Sequence, residues 1–294
     1  SLERALASAK AQGETGTYAT ALGSLADLHF RLGDYPRAVR MHRDALTARR
    51  DVGDRLGVVR TLDHLAGVQA ALGSWAKAFE LAEQAQAEAR AIGDDLGVAI
   101  VTSSLGGFHA KLGQYPEAET LHAEALAVFR RLEARGAALG ALSSLGVVHL
   151  KSGDLDQALK AFDEVVAQAQ ALGDAARAAE GRRYRAMTFQ ALGDVKKAAA
   201  EFEAAITGFD AAQDRRGAAA TVADLARLRL EAGEILPARR LADRAVREAE
   251  RMRADPLMAS ALAVKAQTRI AAGDPDAALE IARSGAQVVD RLFT

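Results

Sequence analysis

The sequence contains no cysteine, only five prolines among its 294 residues, and few aromatic side chains (5%). Without cysteine there is no disulfide scaffold, Cys-ligated zinc site, iron–sulfur cluster or cysteine nucleophile. The scarcity of proline and aromatics, together with abundant alanine, leucine, glutamate and arginine, favours helices over a β-sandwich or barrel. The formal net charge is −1, so no global charge attracts nucleic acid or an anionic membrane.

Long hydrophobic runs are also missing. The longest stretches without a formal charge, residues 96–110 and 136–150, are fifteen residues each and contain glycine and serine. About 20 apolar residues are needed to span a bilayer, so we expect no membrane association. Residues 1–4 lack the charged-then-apolar layout of a signal peptide. The sequence therefore predicts a cytoplasmic protein.

What the sequence does contain is a repeat of 40 residues. Glycine recurs at this spacing seven times, at Gly33, Gly73, Gly113, Gly153, Gly193, Gly233 and Gly273. An alanine stands five residues after each of these glycines, and a small residue stands seven residues before it. Small side chains in a fixed register indicate that two helices cross closely, because only small residues let the backbones approach.

Each repeat is predicted to form helix A, a tight turn and helix B. The turn glycine suits the left-handed conformation that ends helix A, and an Asp or Ser after it can cap helix B. A second glycine ends helix B at the same period, at Gly13, Gly53, Gly93 and Gly173. Glu133, Gln213 and Arg253 replace it in the other repeats, where we expect a different closure of the turn.

The pattern Leu25-Ala26, Gly33-Asp34-Tyr35, Ala38 and Ala45 resembles the tetratricopeptide repeat family in its longer, roughly 40-residue variety. That variety occurs in cell-polarity scaffolds with Leu-Gly-Asn repeats, in bacterial peptide-pheromone receptors and in the sensor arms of signalling ATPases. The resemblance implies an all-α fold, an α-solenoid of about seven antiparallel helix hairpins that forms a right-handed superhelix. It also implies that helices A line the concave face and helices B the convex face.

The repeat pattern predicts a single solenoid over residues 1–294. Residues 1–14 align with residues 41–54, so we expect them to form the second helix of a truncated leading repeat. The complete repeats are predicted at about 15–54, 55–94, 95–134, 135–174, 175–214, 215–254 and 255–294. Neither end carries an extra polar helix, which solenoids usually need. The segment is therefore expected to come from a longer protein, or to pack an uncapped end against a second copy as a homo-oligomer.

The sequence shows no constellation that would support catalysis. Phosphate-loop, zinc-protease and nucleophile-elbow motifs are absent, and Gly106-Gly107 lies within a helix A pattern. We therefore predict no enzyme activity, no catalytic residue and no cofactor.

The histidines are predicted to pack rather than to bind metal. His109 and His149 occupy equivalent positions one repeat apart, a separation of about 10 Å that is too large for a shared metal. His42 and His122 stand at another packing position, and His64 projects toward the predicted groove. No metal site is expected.

The groove positions lie ten, nine and six residues before each turn glycine, with lysines at its border. They are Asp63, His64, Gly67, Ser103, Ser104, Gly107, Lys111, Ser143, Ser144, Val147, Lys151, Arg183, Tyr184, Met187 and Arg227, and Gly23, Ser24 and Asp27 begin the row. Peptide-binding relatives often carry Asn six residues before the glycine, and this chain does not. The small, neutral centre of the groove instead suits an apolar or amphipathic segment.

Two classes of function remain open. The first is a protein–protein interaction scaffold that binds a peptide or helix of a partner in the concave groove. The second is a ligand-sensing or regulatory arm of a larger signalling protein, such as an ATPase, transcription factor or protease. Two arginine-rich stretches, residues 37–60 and 215–253, lie mainly on helices B and lack stacking aromatics. They are interpreted as a solvated convex face, and no nucleic-acid partner is expected.

Overall fold

The computed structural model describes residues 2–293, which form fifteen α-helices and no strand. In chain order these are α1 (Leu2–Gln12), α2 (Thr15–Leu32), α3 (Tyr35–Asp51), α4 (Arg55–Ala71), α5 (Trp75–Ala91), α6 (Asp95–Lys111), α7 (Tyr115–Arg131), α8 (Arg135–Ser152), α9 (Leu155–Ala171), α10 (Ala175–Ala191), α11 (Val195–Ala211), α12 (Arg215–Glu231), α13 (Ile235–Met252), α14 (Asp255–Ala271) and α15 (Pro275–Phe293). The prediction of an all-α helical solenoid is confirmed. The handedness of the superhelix and the repeat boundaries stay predictions, and Ser1 and Thr294, which the boundaries include, lie outside the described residues.

The helices form two compact units, residues 2–141 and Leu142–Leu292. In the first unit α2 packs on α3, α4 on α5 and α6 on α7, and α4 also contacts α2 and α6. In the second unit α10 packs on α11 and α12 on α13, and α12 also contacts α10 and α14. Within each unit, the even-numbered helices that make these contacts are thus the helices A of their hairpins and stand beside the helices A of adjacent hairpins.

The small residues of the repeat lie where these helices cross. Ala26, Ala38 and Ala45 of the first hairpin are 0% exposed, and most of their equivalents are buried to the same degree. At two positions equivalent to Ala26, glycine replaces alanine because an aromatic ring fills the space. A Cβ on Gly106 would lie 3.1 Å from the His122 ring, and one on Gly146 would lie 2.6 Å from the Phe162 ring.

The turns close as the glycine pattern predicts. Gly33 is left-handed (φ 87°), and the N–H groups of Gly33 and Asp34 donate to the last carbonyls of α2. The Asp34 carboxylate then accepts a hydrogen bond from the Arg37 N–H and so caps α3. Ser74 was expected to cap α5 in the same way, but its side chain makes no capping hydrogen bond.

The expectation of a different turn closure at Glu133, Gln213 and Arg253 is wrong. These residues adopt the same left-handed conformation as the glycines, with φ values of 53°, 57° and 51°. The backbone hydrogen bonds are also the same, since the residue after each one donates to the helix carbonyl five residues back, as Asp214 does to Phe209. The packing of the adjacent hairpins therefore imposes the turn on a residue with a side chain.

Among the described residues, no helix is both long enough and apolar enough to cross a membrane.

Candidate functional site

The candidate site in the first unit is built on the exposed sides of α2, α4 and α6. Gly67 on α4 and Gly107 on α6 are half-buried, and a Cβ added to either would meet no atom within 4 Å. Both glycines thus leave open space beside the helix backbone and do not lie where two helices pack closely together. Lys111 lies at the end of α6 and is exposed.

A cleft of about 330 Å³ lies between the first halves of α4 and α6. Apolar side chains form much of its wall, and three of them are strongly exposed: Leu56 (55%), Leu96 (39%) and Ile100 (39%). Its lining is completed by Val59, Arg60, Asp63, His64, Asp94, Gly97 and Val101. The cleft therefore combines an apolar wall with a few charged groups, which is the usual composition of a ligand-binding cleft.

Asp63 brings an incompletely paired carboxylate to this cleft. Ser104 hydrogen-bonds to the Asp63 carboxylate, but the Oδ1 atom of Asp63 is buried without any hydrogen-bond partner. Burial raises the pKa of Asp63, while the hydrogen bond from Ser104 and the charge of His64 act in the opposite direction. A buried acceptor without a partner is uncommon, so Asp63 is available to a donor that enters the cleft.

Beside the cleft, Asp27, His42 and His64 come together from three helices. The Nδ1 atom of His64 lies 2.9 Å from Asp27 Oδ1, and the Nε2 atom of His42 lies 3.5 Å from the same oxygen. The two imidazole rings are edge-to-face, with their centroids 5.6 Å apart. One nitrogen from each histidine and one oxygen of Asp27 all lie within 4.8 Å of one another.

The two histidines of this cluster differ in their electrostatics. Burial lowers the pKa of His42 to about 4, and the charge of His64 adds to that effect. The hydrogen bond to Asp27 raises the pKa of His64. Burial alone would raise the pKa of Asp27, but the hydrogen bond and charge of His64 bring it below its ordinary value. At neutral pH the cluster thus holds a carboxylate and a neutral, buried His42.

The repeat pattern places Asp27 and His64 in the predicted groove row but does not indicate their approach to His42. The pattern relates only histidines at equivalent positions of successive repeats. His42 is on helix B of one hairpin, whereas Asp27 and His64 are on helices A of two adjacent hairpins. A search across the non-equivalent positions around Gly33 and Gly73 could have found the cluster, because α3 contacts both α2 and α4.

The other predicted histidines and serines of the first unit make local hydrogen bonds. Ser103 lies 3.1 Å from His122 Nδ1, so its hydroxyl is turned toward helix B. His109 pairs with Gln114 at 2.7 Å, and His29, at the equivalent position of the first repeat, pairs with Asp34 at 3.2 Å. Each pair lies next to the turn of its own hairpin.

In the second unit the predicted groove arginines are paired. Arg183 on α10 donates to Asp224 on α12, with Nε to Oδ2 at 2.7 Å, and Arg227 lies 3.7 Å from the other oxygen of Asp224. Asp224 is only 8% exposed. This ion pair joins two adjacent helices A and leaves less charge for a partner than two separate arginines would.

Tyr184 and Met187 also pack within the second unit. The Tyr184 ring stacks on the buried Phe162 ring with the centroids 5.3 Å apart, and Met187 packs against a core cluster with members on α10 to α15. On α8, Ser143, Ser144 and Val147 are half-buried and Lys151 is exposed. The predicted positions of this unit are therefore mainly structural, apart from those on α8.

The basic stretch of residues 37–60 is largely solvated, as the sequence analysis predicts. Arg49 is the exception, because it is only 8% exposed and lies in the space left by Gly57. Its Nη1 atom is 3.7 Å from the Asp54 carboxylate, and burial lowers the pKa of its guanidinium.

Comparison with known families identifies the repeat. A family model described as tetratricopeptide repeat matches residues 17–91, 57–131, 97–171 and 137–211. The overlapping matches span more than half of the sequence, and the chain therefore belongs to the tetratricopeptide repeat family. No curated protein sequence matches the chain.

Solved structures with the same fold come from several kinds of protein. The Rap conjugation gene regulator of plasmid pLS20, in complex with a Phr peptide, has a TM-score of 0.71 at 13% identity, covering 94% of this chain and 74% of that one. A STAND protein with a tetratricopeptide repeat sensor from Pyrococcus horikoshii has a TM-score of 0.63 at 18% identity, covering 94% of this chain and 44% of that one. BtubC from P. vanneervenii has a TM-score of 0.58 at 25% identity, covering 72% of this chain and 92% of that one.

Proposed function

We propose that the chain is a non-catalytic protein-interaction module that binds an apolar or amphipathic peptide segment of a partner. The carrying observation is the cleft between α4 and α6, where exposed Leu56, Leu96 and Ile100 surround the buried Asp63 carboxylate. An apolar side chain of a peptide would remove these leucine and isoleucine side chains from water. A backbone or side-chain N–H of the same peptide would satisfy Asp63 Oδ1.

The open positions of Gly67 and Gly107 support this proposal. They lie one to two helical turns beyond the cleft on the same two helices, and neither has a side chain that would hold a peptide away from the wall. The structural likeness to a Rap regulator crystallised with a peptide is consistent with this role, although at 13% identity the likeness concerns the fold.

The test is to select peptides from a random displayed library on the purified chain and to measure their affinity by fluorescence anisotropy. We expect Leu56→Glu and Ile100→Glu to weaken binding at least tenfold, because each places a charge in the apolar wall. Leu236→Glu is the matched control, since Leu236 is 70% exposed on α13, outside the first unit. If the control abolished binding while both cleft variants bound normally, the cleft would not be the site.

A second proposal is that the chain is the sensor or regulatory arm of a larger signalling protein. It is favoured by the likeness to the STAND protein, because nearly all of this chain aligns with less than half of that one. The sequence encoded on either side of this chain is the test. An adjoining nucleotide-binding, DNA-binding or protease domain would support the second proposal, and a reading frame without one would refute it.

A further inference from the structure

We propose that Asp27, His42 and His64 bind a zinc-type divalent transition-metal ion, with one coordination position open to solvent. This site lies outside the proposed peptide cleft, apart from His64, which borders both. It departs from the expectation that the histidines of this chain only pack.

The donor set fits such a metal. Two imidazole nitrogens and one carboxylate oxygen are common ligands of zinc, which keeps a fourth position for water when the protein supplies three. Calcium and magnesium prefer sets made only of oxygen, so the two histidines count against them. Nitrogen-rich sites favour zinc, cobalt, nickel and copper.

The distances are close to those of a bound site. Tetrahedral bonds of about 2.0–2.1 Å place neighbouring ligand atoms about 3.4 Å apart. The Asp27 oxygen lies 2.9 Å from the His64 nitrogen and 3.5 Å from the His42 nitrogen, and the three ligand atoms lie within 4.8 Å of one another. Because His64 is exposed, a rotation of its side chain can close the remaining gap.

The strongest single indication is His42, which is 1% exposed. Neither of its ring nitrogens has a hydrogen-bond partner, although Nε2 faces the Asp27 carboxylate. Buried polar atoms almost always have a partner, and leaving one unpaired destabilises the folded chain. A metal held between His42 and Asp27 would occupy the lone pair that is otherwise unused.

The three ligands lie on three successive helices. Asp27 lies on α2, His42 on α3 and His64 on α4, and α3 packs against both of the other helices. The metal would therefore link two adjacent hairpins of the first unit. Such a link stabilises the folded chain, because the unfolded chain does not hold the three ligands together.

The surrounding charges oppose one another. The positive charge of Arg49 interacts with Asp27 and with both histidines, and that of Arg31 interacts with Asp27. These two cations weaken the attraction of the site for a metal ion. The negative charge of Asp63 has the opposite effect on His64, because it raises the pKa of that histidine whereas Arg49 lowers it. Asp27 is the carboxylate in direct contact with both histidines, and the site therefore depends on it.

The experiment is a calorimetric titration of the metal-free protein with Zn²⁺, followed by the visible spectrum of the Co²⁺-substituted protein. We expect one Zn²⁺ per chain, an intense tetrahedral Co²⁺ absorption and a higher melting temperature with Zn²⁺. His64→Ala and Asp27→Asn should each weaken Zn²⁺ binding about 100-fold or more, since a ligand contributes at least as much as the groups that orient it.

His109→Gln is the matched control, because His109 is a partly exposed histidine that pairs with Gln114 and not with a carboxylate. It should leave the Zn²⁺ affinity unchanged, and Mg²⁺ should give no comparable binding. The proposal is overturned if the chain takes up no stoichiometric Zn²⁺, or if His64→Ala and Asp27→Asn bind it as tightly as the unaltered protein. Both substitutions are at partly or fully exposed positions, so folding of the variants can be verified by circular dichroism.

Discussion

At the scale of single residues, buried histidine takes two different roles in the first unit. His42 and His122 stand nine residues after their turn glycines and are 1% and 2% exposed. His122 has Ser103 as a hydrogen-bond partner, whereas His42 faces a carboxylate and a second histidine. The same repeat position is therefore a packing position in one hairpin and part of a candidate metal site in another.

His122 should make the stability of the chain depend on pH. Burial lowers its pKa from 6.5 to about 4, so between these values the unfolded state binds the proton and the folded state does not. The stabilisation is thus complete above about pH 6.5 and is lost as the pH falls toward 4. We expect a loss of about 2–3 kcal/mol from this residue between pH 7.5 and 4.5.

Chemical denaturation at several pH values, in the presence of a chelator, measures this effect. The His122→Gln variant should lose correspondingly less unfolding free energy than the unaltered chain over the same interval. An identical pH profile for the two proteins would show that His122 is not the titrating group.

Gly106 and Gly107 are neighbours whose substitution should have opposite effects. A Cβ at Gly106 would press against the His122 ring, whereas one at Gly107 would extend into open space. Alanine favours a helix over glycine by about 1 kcal/mol, so Gly107→Ala should stabilise the chain by about that amount. Gly106→Ala should stabilise the chain less than Gly107→Ala, or destabilise it, because the His122 ring must move to admit the new methyl group. Thermal melts of the two variants provide the comparison, and equal shifts would contradict the assigned helix orientation.

At the scale of helices and turns, much of the architecture could be predicted from the sequence, because the repeat fixes the small residues at each crossing. The turns after α7, α11 and α13 could not be predicted in this way. Residues with a side chain, such as Glu133, Gln213 and Arg253, disfavour the left-handed backbone conformation that they adopt there. The packing of both adjacent helices outweighs that local preference. The pairing of Arg183 with Asp224 was missed for a related reason, since it joins neighbouring repeats at positions that only the three-dimensional stacking brings together.

Restoring the glycine should relieve this strain. Gln213→Gly should raise the unfolding free energy by about 1 kcal/mol, because glycine adopts a positive φ without a steric cost. The reverse substitution at the equivalent turn, Gly93→Gln, should lower it by a similar amount, because Gly93 has a φ of 70°. Denaturant midpoints of the two variants test the pair. If both changes moved the midpoint in the same direction, turn strain would not be the cause.

At the scale of the whole molecule, the chain is a repeat protein in which adjacent hairpins bury one another's apolar sides. Its candidate sites lie in the first unit, where α2, α3 and α4 hold the proposed metal cluster and α4 and α6 form the cleft. In the second unit, predicted groove residues instead form internal contacts: Arg183 forms an ion pair with Asp224, and the Tyr184 ring stacks on Phe162. Sequence periodicity identifies equivalent positions in the repeats. It does not distinguish side chains that are free to contact a partner from side chains that pair with neighbouring hairpins.

Hydrogen–deuterium exchange of the chain with and without a library-selected peptide tests the central claim most directly. Binding in the cleft should slow the exchange of backbone amides in the first halves of α4 and α6, around residues 56–64 and 94–101, because the peptide covers these helices and opposes their local opening. The helices B of the same hairpins, α5 and α7, should change less. Slower exchange confined to α5 and α7, with α4 and α6 unaffected by a saturating peptide, would contradict the account.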